Sequence, residues 1–289
     1  MLAESLLIFS ECILSAYPLL IKLVDASIPL QTGLRMFIYA GLAAIIGVAT
    51  GSPITSLNMF SNESILTGLL NLLHVGTSYT AFDKLAAGNA MALFYTYPVW
   101  NILGAAAVFK EKVPFSSLPW IGLALVGALL LAQPSGTNWN FLGVAAALVA
   151  AITETGIYLW FKNQKDAKEH EPWTKMTQMY GSSGILWLMG ILAFAAFGLL
   201  QKNTFAISNK GIASILLFNT FIGFVGYALR FYVIPSVSTI TFSSLSFIGI
   251  VAAYALGWMF TNETPTIVQG LGALAIVIAN TILLRREIV

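Results

Sequence analysis

The chain has 289 residues, of which 58% are hydrophobic and only 9% are charged, and its formal net charge at pH 7 is +2. A soluble domain of this length needs more charge to cover its surface, so lipid must be the solvent for most of the chain. The small net charge, without a basic stripe, argues against a nucleic-acid partner. Cys12 is the only cysteine, which excludes an intrachain disulfide and a thiolate metal cluster. We expect no metal and no cofactor.

Apolar segments recur along the whole chain, and about 20 residues suffice to cross a bilayer as a helix. The first segment carries Glu4 where a cleaved signal peptide would have basic residues, so we expect it to be retained. Proline, glycine and asparagine separate the segments. The predicted spans are 4–24, 32–50, 64–83, 89–109, 116–132, 140–161, 174–200, 208–231, 237–260 and 265–284. The sequence therefore predicts an all-α membrane protein of about ten transmembrane helices.

Lysine and arginine predict how these spans are oriented, because cytoplasmic loops carry more of both residues. With the amino terminus in the cytoplasm, most of the 14 Lys and Arg residues lie on the cytoplasmic side, and the 162–173 loop contributes much of this bias. We therefore expect a multi-pass protein of the plasma (inner) membrane with both termini in the cytoplasm. The sequence leaves open whether it is a monomer or a homodimer.

The two halves of the sequence are similar to each other. Asn71 and Tyr79 in the third span match Asn219 and Tyr227 in the eighth at one offset of 148 residues. A Glu-x(1–2)-Pro motif and a span rich in glycine and alanine follow both the fourth and the ninth span. Because each half has an odd number of spans, 137–289 must be inverted relative to 1–136, as is typical of secondary transporters. A chance alignment of apolar sequences is the alternative.

Two stretches also resemble a known family. Residues 77–131 read TSYTAFDKLAAGNAMALFYTYPVWNILGAAAVFKEKVPFSSLPWIGLALVGALLL, and residues 236–280 read SVSTITFSSLSFIGIVAAYALGWMFTNETPTIVQGLGALAIVIAN. Both resemble the end of an EamA domain of the drug/metabolite transporter superfamily, although the second has Ser246 where the first has Pro98. The resemblance implies ten helices in two inverted five-helix halves. It also implies transport of small metabolites or drugs, often outward, without naming the substrate.

Glu11 and Glu154 stand near the middle of the first and sixth spans. An ionised carboxylate at that depth costs at least about 2.5–3.5 kcal/mol, so each needs a partner, a water-filled cavity or a function. A carboxylate that binds either a proton or a cationic substrate couples the two flows, which makes both residues candidate binding sites. A permanently protonated glutamate, hydrogen-bonded to a neighbour, is the alternative. The spacing of Glu154 and Lys162 is similar to that in the small multidrug resistance proteins of the same superfamily.

Polar side chains mark one face of the third span. Thr67, Asn71, His74 and Ser78 follow helical spacing, so they are expected to face the interior of the bundle. His74 suits a proton relay, and a structural hydrogen bond is its alternative. Asn71 and Asn219 are candidates for opposite walls of a cavity, or for holding helices together.

Aromatic and cationic residues suggest the class of substrate. Tyr79, Tyr97 and Tyr227 are candidate contacts for an organic cation through cation–π attraction, with packing as the alternative. The cations nearest to the spans are expected within about a turn of a span end, where they can reach water. They are Lys22, Arg35, Lys175, Lys210 and Arg230. Two carboxylates without deep cations favour a neutral, zwitterionic or cationic substrate, with an inward orientation of Arg35 and Arg230 as the alternative.

These features together predict a secondary-active carrier with alternating access, whose coupling to protons through Glu11 and Glu154 is a hypothesis. A channel or a ligand-sensing membrane receptor is the alternative, although no filter-like loop is visible. A membrane-embedded enzyme is a third class. It would need paired membrane aspartates, a serine with a histidine, or a His-Glu-x-x-His motif, and the sequence offers none of these. We therefore expect a protein that is not an enzyme, with the lipid bilayer and a small molecule as its partners.

Overall fold

The computed structural model describes residues 2–52, 54, 57–85, 87–132, 140–163, 172–261 and 266–287, which form a bundle of helices. The α-helices are α1 (Leu2–Leu14), α2 (Tyr17–Leu23), α3 (Ile28–Thr50), α4 (Asn62–Lys84), α5 (Ala87–Phe94), α6 (Tyr97–Val108), α7 (Leu118–Ala132), α8 (Phe141–Lys162), α9 (Trp173–Ala196), α10 (Asn209–Leu217), α11 (Val225–Val233), α12 (Thr239–Ser246), α13 (Ile248–Thr261) and α14 (Ile267–Glu287). A π-helical segment, Phe218–Phe224, joins α10 to α11, and 3₁₀ turns cover Phe115–Ser117 and Ile234–Ser236.

Polar side chains fix where several helices begin. The side chains of five residues accept a hydrogen bond from the backbone N–H three residues further on, and so pair donors that the helix itself leaves free. These residues are Ser27, Ser61, Asn140, Ser208 and Ser238. Gly51, with φ of 80°, ends α3. Gly198, with φ of 66°, follows the last turn of α9, which therefore ends before the predicted boundary at residue 200.

Within the described residues, seven helical stretches are long and apolar enough to cross a membrane. They are Leu2–Ile21, Ile28–Thr50, Asn89–Val108, Phe141–Lys162, Trp173–Ala196, Asn209–Ser236 and Thr239–Phe260. Two further apolar helices, Phe115–Leu131 and Ile267–Leu283, are shorter. Helix α4 has 23 residues but is less apolar, because it carries the predicted polar face. The prediction of an all-helical, multi-pass membrane protein is confirmed.

Long helices from the two halves of the chain pack against each other. Helix α4 lies against α8 and α9, α3 lies against α9, and α1 lies against α11, α12 and α13. Helices α7 and α14 cross where a side chain at Gly127 would meet the carbonyl oxygen of Gly272 at 2.7 Å, and one at Gly272 would meet that of Gly127 at 2.6 Å. Such small residues let two membrane helices approach closely.

The short junctions that the sequence predicts are present where the structure describes them. Helix α4 ends at Lys84 and α5 begins at Ala87, while Pro235 lies in the 3₁₀ turn between α11 and α12. The predicted breaks at Pro53, Pro134–Gly136 and Pro265, together with most of the 162–173 loop, lie outside the described residues. On one face of the bundle, the loop after α2 pairs with the loop before α10 through an antiparallel bridge between Ala26 and Ile207.

Candidate functional site

Glu11 lies near the end of α1 and is fully buried, with 0% of its surface exposed. Three hydroxyl groups lie at hydrogen-bonding distance from its carboxylate: Tyr95 at 3.1 Å, Ser246 at 3.2 Å and Tyr97 at 3.4 Å. Nη1 of Arg230 lies 3.5 Å from Oε1 of the same carboxylate. Tyr95, Tyr97 and Arg230 can donate to this carboxylate, whereas the Ser246 hydroxyl also lies 2.8 Å from the carbonyl oxygen of Phe242, to which it can donate instead.

Interrupted helices bring these donors to Glu11. Helix α1 stops at Leu14 before α2, α5 stops at Phe94 before α6, and α12 stops at Ser246 before α13. Pro18 and Pro98 stand at the start of α2 and α6, where proline lacks the N–H that would continue the helix. Irregular backbone at membrane depth is tolerated where it lines a site inside the protein, and discontinuous helices mark the binding sites of many transporters.

Arg230 on α11 joins the two buried glutamates. Its Nη2 lies 2.9 Å from Oε1 of Glu154, and only 2% of its surface is exposed. The guanidinium also lies over the rings of Tyr97, at 4.8 Å, and Phe242, at 5.3 Å. Arg230 lies in the last turn of α11, as expected, but its side chain is buried, so the expectation that it reaches water is wrong.

Glu154 on α8 also faces His74 on α4, with Oε2 3.3 Å from Nε2. Nδ1 of His74 lies 3.1 Å from the carbonyl oxygen of Ala150, which can only accept, so we assign a hydrogen to Nδ1. In a neutral imidazole, Nε2 would then carry no hydrogen, and it would face the Glu154 carboxylate, which is also an acceptor. The pair is consistent with a second proton between Nε2 and the Glu154 carboxylate. With that proton, the charges of Arg230, Glu11, Glu154 and His74 sum to zero.

Arg35 on α3 is a second buried arginine, 1% exposed, and its predicted position within reach of water is also wrong. Helix α3 begins at Ile28, so Arg35 lies about two turns inside it. Its guanidinium lies over four tyrosine rings, which we call the Arg35 cage. The distances from Cζ to the ring centroids are 4.5 Å for Tyr227, 5.1 Å for Tyr17, 5.1 Å for Tyr39 and 5.6 Å for Tyr79.

A small cavity joins the two arginines. Its lining comprises Leu14, Tyr17, Arg35, His74, Ser78, Phe82, Met91, Phe94, Tyr95, Tyr227 and Arg230. A packed layer lies between Glu154 and the carboxyl end of α8. There the Tyr158 hydroxyl donates to Thr239 at 2.9 Å, and the rings of Phe161 and Phe231 stack at 3.9 Å. The cavity is therefore adjacent to the charged cluster of Arg230, Glu11, Glu154 and His74.

Six of the eight predicted site residues fall into two groups. Glu11, Glu154, His74 and Tyr97 converge on Arg230, and Tyr79 and Tyr227 belong to the Arg35 cage. The tyrosine faces expected to bind an organic cation are thus covered by the protein's own arginines. The two asparagines lie outside both clusters. Asn71 donates to Ser183 of α9 at 2.9 Å, and Asn219 donates to the carbonyl of Ile215 at 3.0 Å.

Arg35, Arg230 and Tyr39 belong to this site although the sequence does not predict them there. Signals for two of them are present in the sequence: Pro29 fits the first turn of a helix, which would place Arg35 deeper, and the short turn at Pro235 leaves little loop after Arg230. Tyr39 carries no signal, because its contact with Arg35 depends on how the helices pack. Among the described residues, no group of three His, Cys, Asp or Glu side chains is arranged to hold a metal.

Comparisons with known proteins identify transporters as relatives. The chain is 22% identical over 264 residues to an uncharacterized transporter of Clostridium kluyveri, covering 88% of this chain and 83% of the relative. It is 27% identical over 218 residues to the threonine/homoserine exporter RhtA of Salmonella typhimurium, covering 72% and 67% of the two chains. A crystal structure of a protein matches with a TM-score of 0.73 at 13% identity, over 97% of this chain and 96% of the other. No family model matches the sequence. The relatives and the apolar helices together support a multi-pass membrane transporter.

Proposed function

We propose that the protein is a secondary-active carrier that exchanges protons for a small zwitterionic metabolite of the amino-acid type. The observation that carries the proposal is the buried cluster of Arg230, Glu11, Glu154 and His74, which is neutral when His74 and Glu154 share one proton. Loss of that proton leaves a net negative charge on the buried cluster. A cationic amino group can neutralise this charge in place of the proton. Proton and amino group then compete for one site, and this competition couples their flows.

The relatives favour this substrate class and an outward direction. One of them is an exporter of threonine and homoserine, which are small zwitterions. We include in the proposal membership of the drug/metabolite transporter superfamily and a location in the plasma (inner) membrane with both termini in the cytoplasm. A proton gradient directed inwards would then drive export.

Alternating access between two inverted halves, residues 1–136 and 137–289, completes the proposal. Seven long apolar stretches, two shorter ones and α4 would supply ten spans. The packing of helices supports the inversion: α8 packs on α4 of the first half, and α1 packs on α11 of the second. In the same way, α8 packs on α6 and α1 packs on α12 and α13. The reciprocal crossing at Gly127 and Gly272 fits the same pseudo-symmetry.

Proteoliposomes containing the purified protein and radiolabelled L-threonine or L-homoserine test the proposal. We expect saturable flux that an opposing pH gradient accelerates at least tenfold. Glu154→Gln should abolish this acceleration, because it removes the carboxylate at which proton and amino group compete. Asp83→Asn is the matched control, because Asp83 is a half-exposed carboxylate paired with Lys84. If the wild type transports both amino acids at rates that do not depend on the pH gradient, the coupling is refuted. Flux that does not saturate and is accompanied by an ion current would favour a channel.

A further inference from the structure

Arg35 carries a buried positive charge for which the proposed proton exchange has no use. Its hydrogen bond to the Tyr79 hydroxyl, from Nη1, is 3.5 Å long, which is the weak end of the range. Its Nε and Nη2 have no hydrogen-bond partner among the residues that the structure describes. Within the same residues, Arg35 also forms no ion pair with a carboxylate, whereas Arg230 has two. The guanidinium is therefore charged, buried and short of acceptors.

Aromatic rings alone do not compensate such a group fully. Cation–π attraction in the Arg35 cage offsets part of the cost of removing the guanidinium from water. It leaves the N–H donors in the plane of the group unsatisfied, because rings contact the faces of a guanidinium rather than its edge. A buried cation without a paired anion is strongly unfavourable. Its retention at this depth points to an anion that binds during the working cycle.

The cage is built to hold the guanidinium in one orientation. The hydroxyl groups of Tyr17 and Tyr39 are hydrogen-bonded at 2.5 Å. Both hydroxyls press against Gly223 in the π-helical segment, where an added Cβ would collide with Tyr39 and lie 2.5 Å from the Tyr17 oxygen. Gly223 is thus required for the close approach of the two tyrosines. Arg35 lines the cavity together with Ser78 and Tyr227, which supply further polar atoms.

We infer that Arg35 binds the carboxylate of the transported molecule, at a subsite separate from the proton-binding cluster at Arg230. The identity of the cargo in this inference rests on the proposed function. A planar guanidinium with free edge donors matches a carboxylate through two parallel hydrogen bonds. The single unpaired positive charge matches a single negative charge, and Arg230 is already neutralised by Glu11 and Glu154. A zwitterion would therefore bind with its carboxylate at Arg35 and its amino group towards Glu154.

Ligand pairs that differ only in the carboxylate test this inference on the full-length protein in detergent at one pH. The probes are L-threonine with L-threoninamide, and L-homoserine with its amide, measured by titration calorimetry. We expect at least one amino acid to bind at least tenfold more tightly than its amide. Arg35→Met should remove this preference, and Arg35→Lys should keep part of it. Lys210→Met is the matched control, because it removes an exposed cation and should leave the preference unchanged.

The thermal unfolding of the unliganded variants separates a binding role from a structural one. If the charge of Arg35 serves binding, Arg35→Met should unfold at a temperature no lower than the wild type. Gly223→Ala, which displaces the cage without changing a charge, should weaken amino-acid binding at least tenfold. Its control is Gly190→Ala, since an added Cβ there meets nothing within 4 Å. The inference is overturned if each amino acid binds no more tightly than its amide, or if none of the four ligands binds. It is also overturned if the preference for the carboxylate persists in Arg35→Met.

These measurements use neither a bilayer nor a pH gradient, so their failure is distinguishable from failure of the proposed function. Carboxylate preference without gradient-driven flux would refute proton coupling and leave the assignment of Arg35 standing. Gradient-driven flux with no carboxylate preference would leave the coupling standing and refute the assignment.

Discussion

Arg230 and Glu154 form an ion pair with Nη2 and Oε1 2.9 Å apart, in a part of the bundle where neither side chain is more than 2% exposed. The same guanidinium lies 3.5 Å from Glu11, so one cation serves two carboxylates that come from different halves of the chain. Buried charges are stable only when they are paired with opposite charges, because each has lost its hydration. The three residues should therefore behave as one unit in both stability and function.

The first prediction concerns this unit. Replacing Arg230 with methionine leaves two buried carboxylates without a counterion, which should lower the free energy of unfolding by about 3–5 kcal/mol. The double variant Arg230→Met, Glu154→Gln should recover part of that loss, because it removes one of the unpaired charges. Reversible unfolding in mixed micelles, followed by circular dichroism, measures both effects. Strictly additive effects of the two substitutions would mean that the ion pair does not couple the helices.

The second prediction is a proton count. If ligand binding releases the proton shared by His74 and Glu154, affinity should rise with pH, with a limiting slope of about one decade per pH unit. In His74→Gln the amide nitrogen can donate directly to Glu154, so no proton needs to be released and the slope should fall towards zero. Calorimetry of L-threonine binding in buffers of different ionisation enthalpy counts the protons. Release of a proton by the variant as by the wild type would exclude His74 from the site.

The sequence predicts much of this arrangement, for physical reasons that can be named. Long apolar runs and capping residues place the helices closely: the predicted span 32–50 lies within Ile28–Thr50. A carboxylate or an imidazole in the middle of such a run is expensive in lipid, so Glu11, Glu154 and His74 are recognisable as interior groups without any structure.

The burial of Arg35 and Arg230 could not be predicted from the sequence by the same reasoning. Snorkelling depends on the distance from a side chain to the helix end, and a boundary error of a single turn decides whether Arg35 reaches water. The pairing of Arg230 with both glutamates depends on the rotation of α1, α8 and α11 about their axes. Helix rotation is set by packing across the whole bundle, and a single sequence gives only its apolar stripe.

The third prediction concerns Gly249, whose lack of a side chain leaves room for Tyr95 beside Glu11. An added Cβ at Gly249 of α13 would collide with the hydroxyl of Tyr95, which lies 3.1 Å from Glu11. Gly249→Ala should lower the free energy of unfolding by about 1–3 kcal/mol through overpacking, and it should reduce transport at least tenfold. Gly270→Ala is the matched control, because its Cβ meets nothing within 4 Å.

A second substitution separates the two effects of that change. Tyr95→Phe removes the nearest colliding atom but leaves ring carbons 2.7 and 2.9 Å from the added Cβ, so the double variant with Gly249→Ala should regain part of the lost stability without regaining transport. Recovery of transport together with stability would show that Glu11 does not need the Tyr95 hydroxyl.

The fourth prediction concerns the packed layer beyond Glu154, which alternating access requires to open. Its hydrogen bond from Tyr158 to Thr239 is buried and neutral, so Tyr158→Phe should remove about 0.5–1.5 kcal/mol from the closed state. A cysteine at Ser243, which is 0% exposed, would report opening in a Cys12→Ser background. Because the closed population falls, a water-soluble maleimide should label this cysteine about twofold to tenfold faster in Tyr158→Phe. A cysteine at the exposed Lys112 should react at one rate in both backgrounds, and equal rates at position 243 as well would mean that this layer is not the barrier that moves.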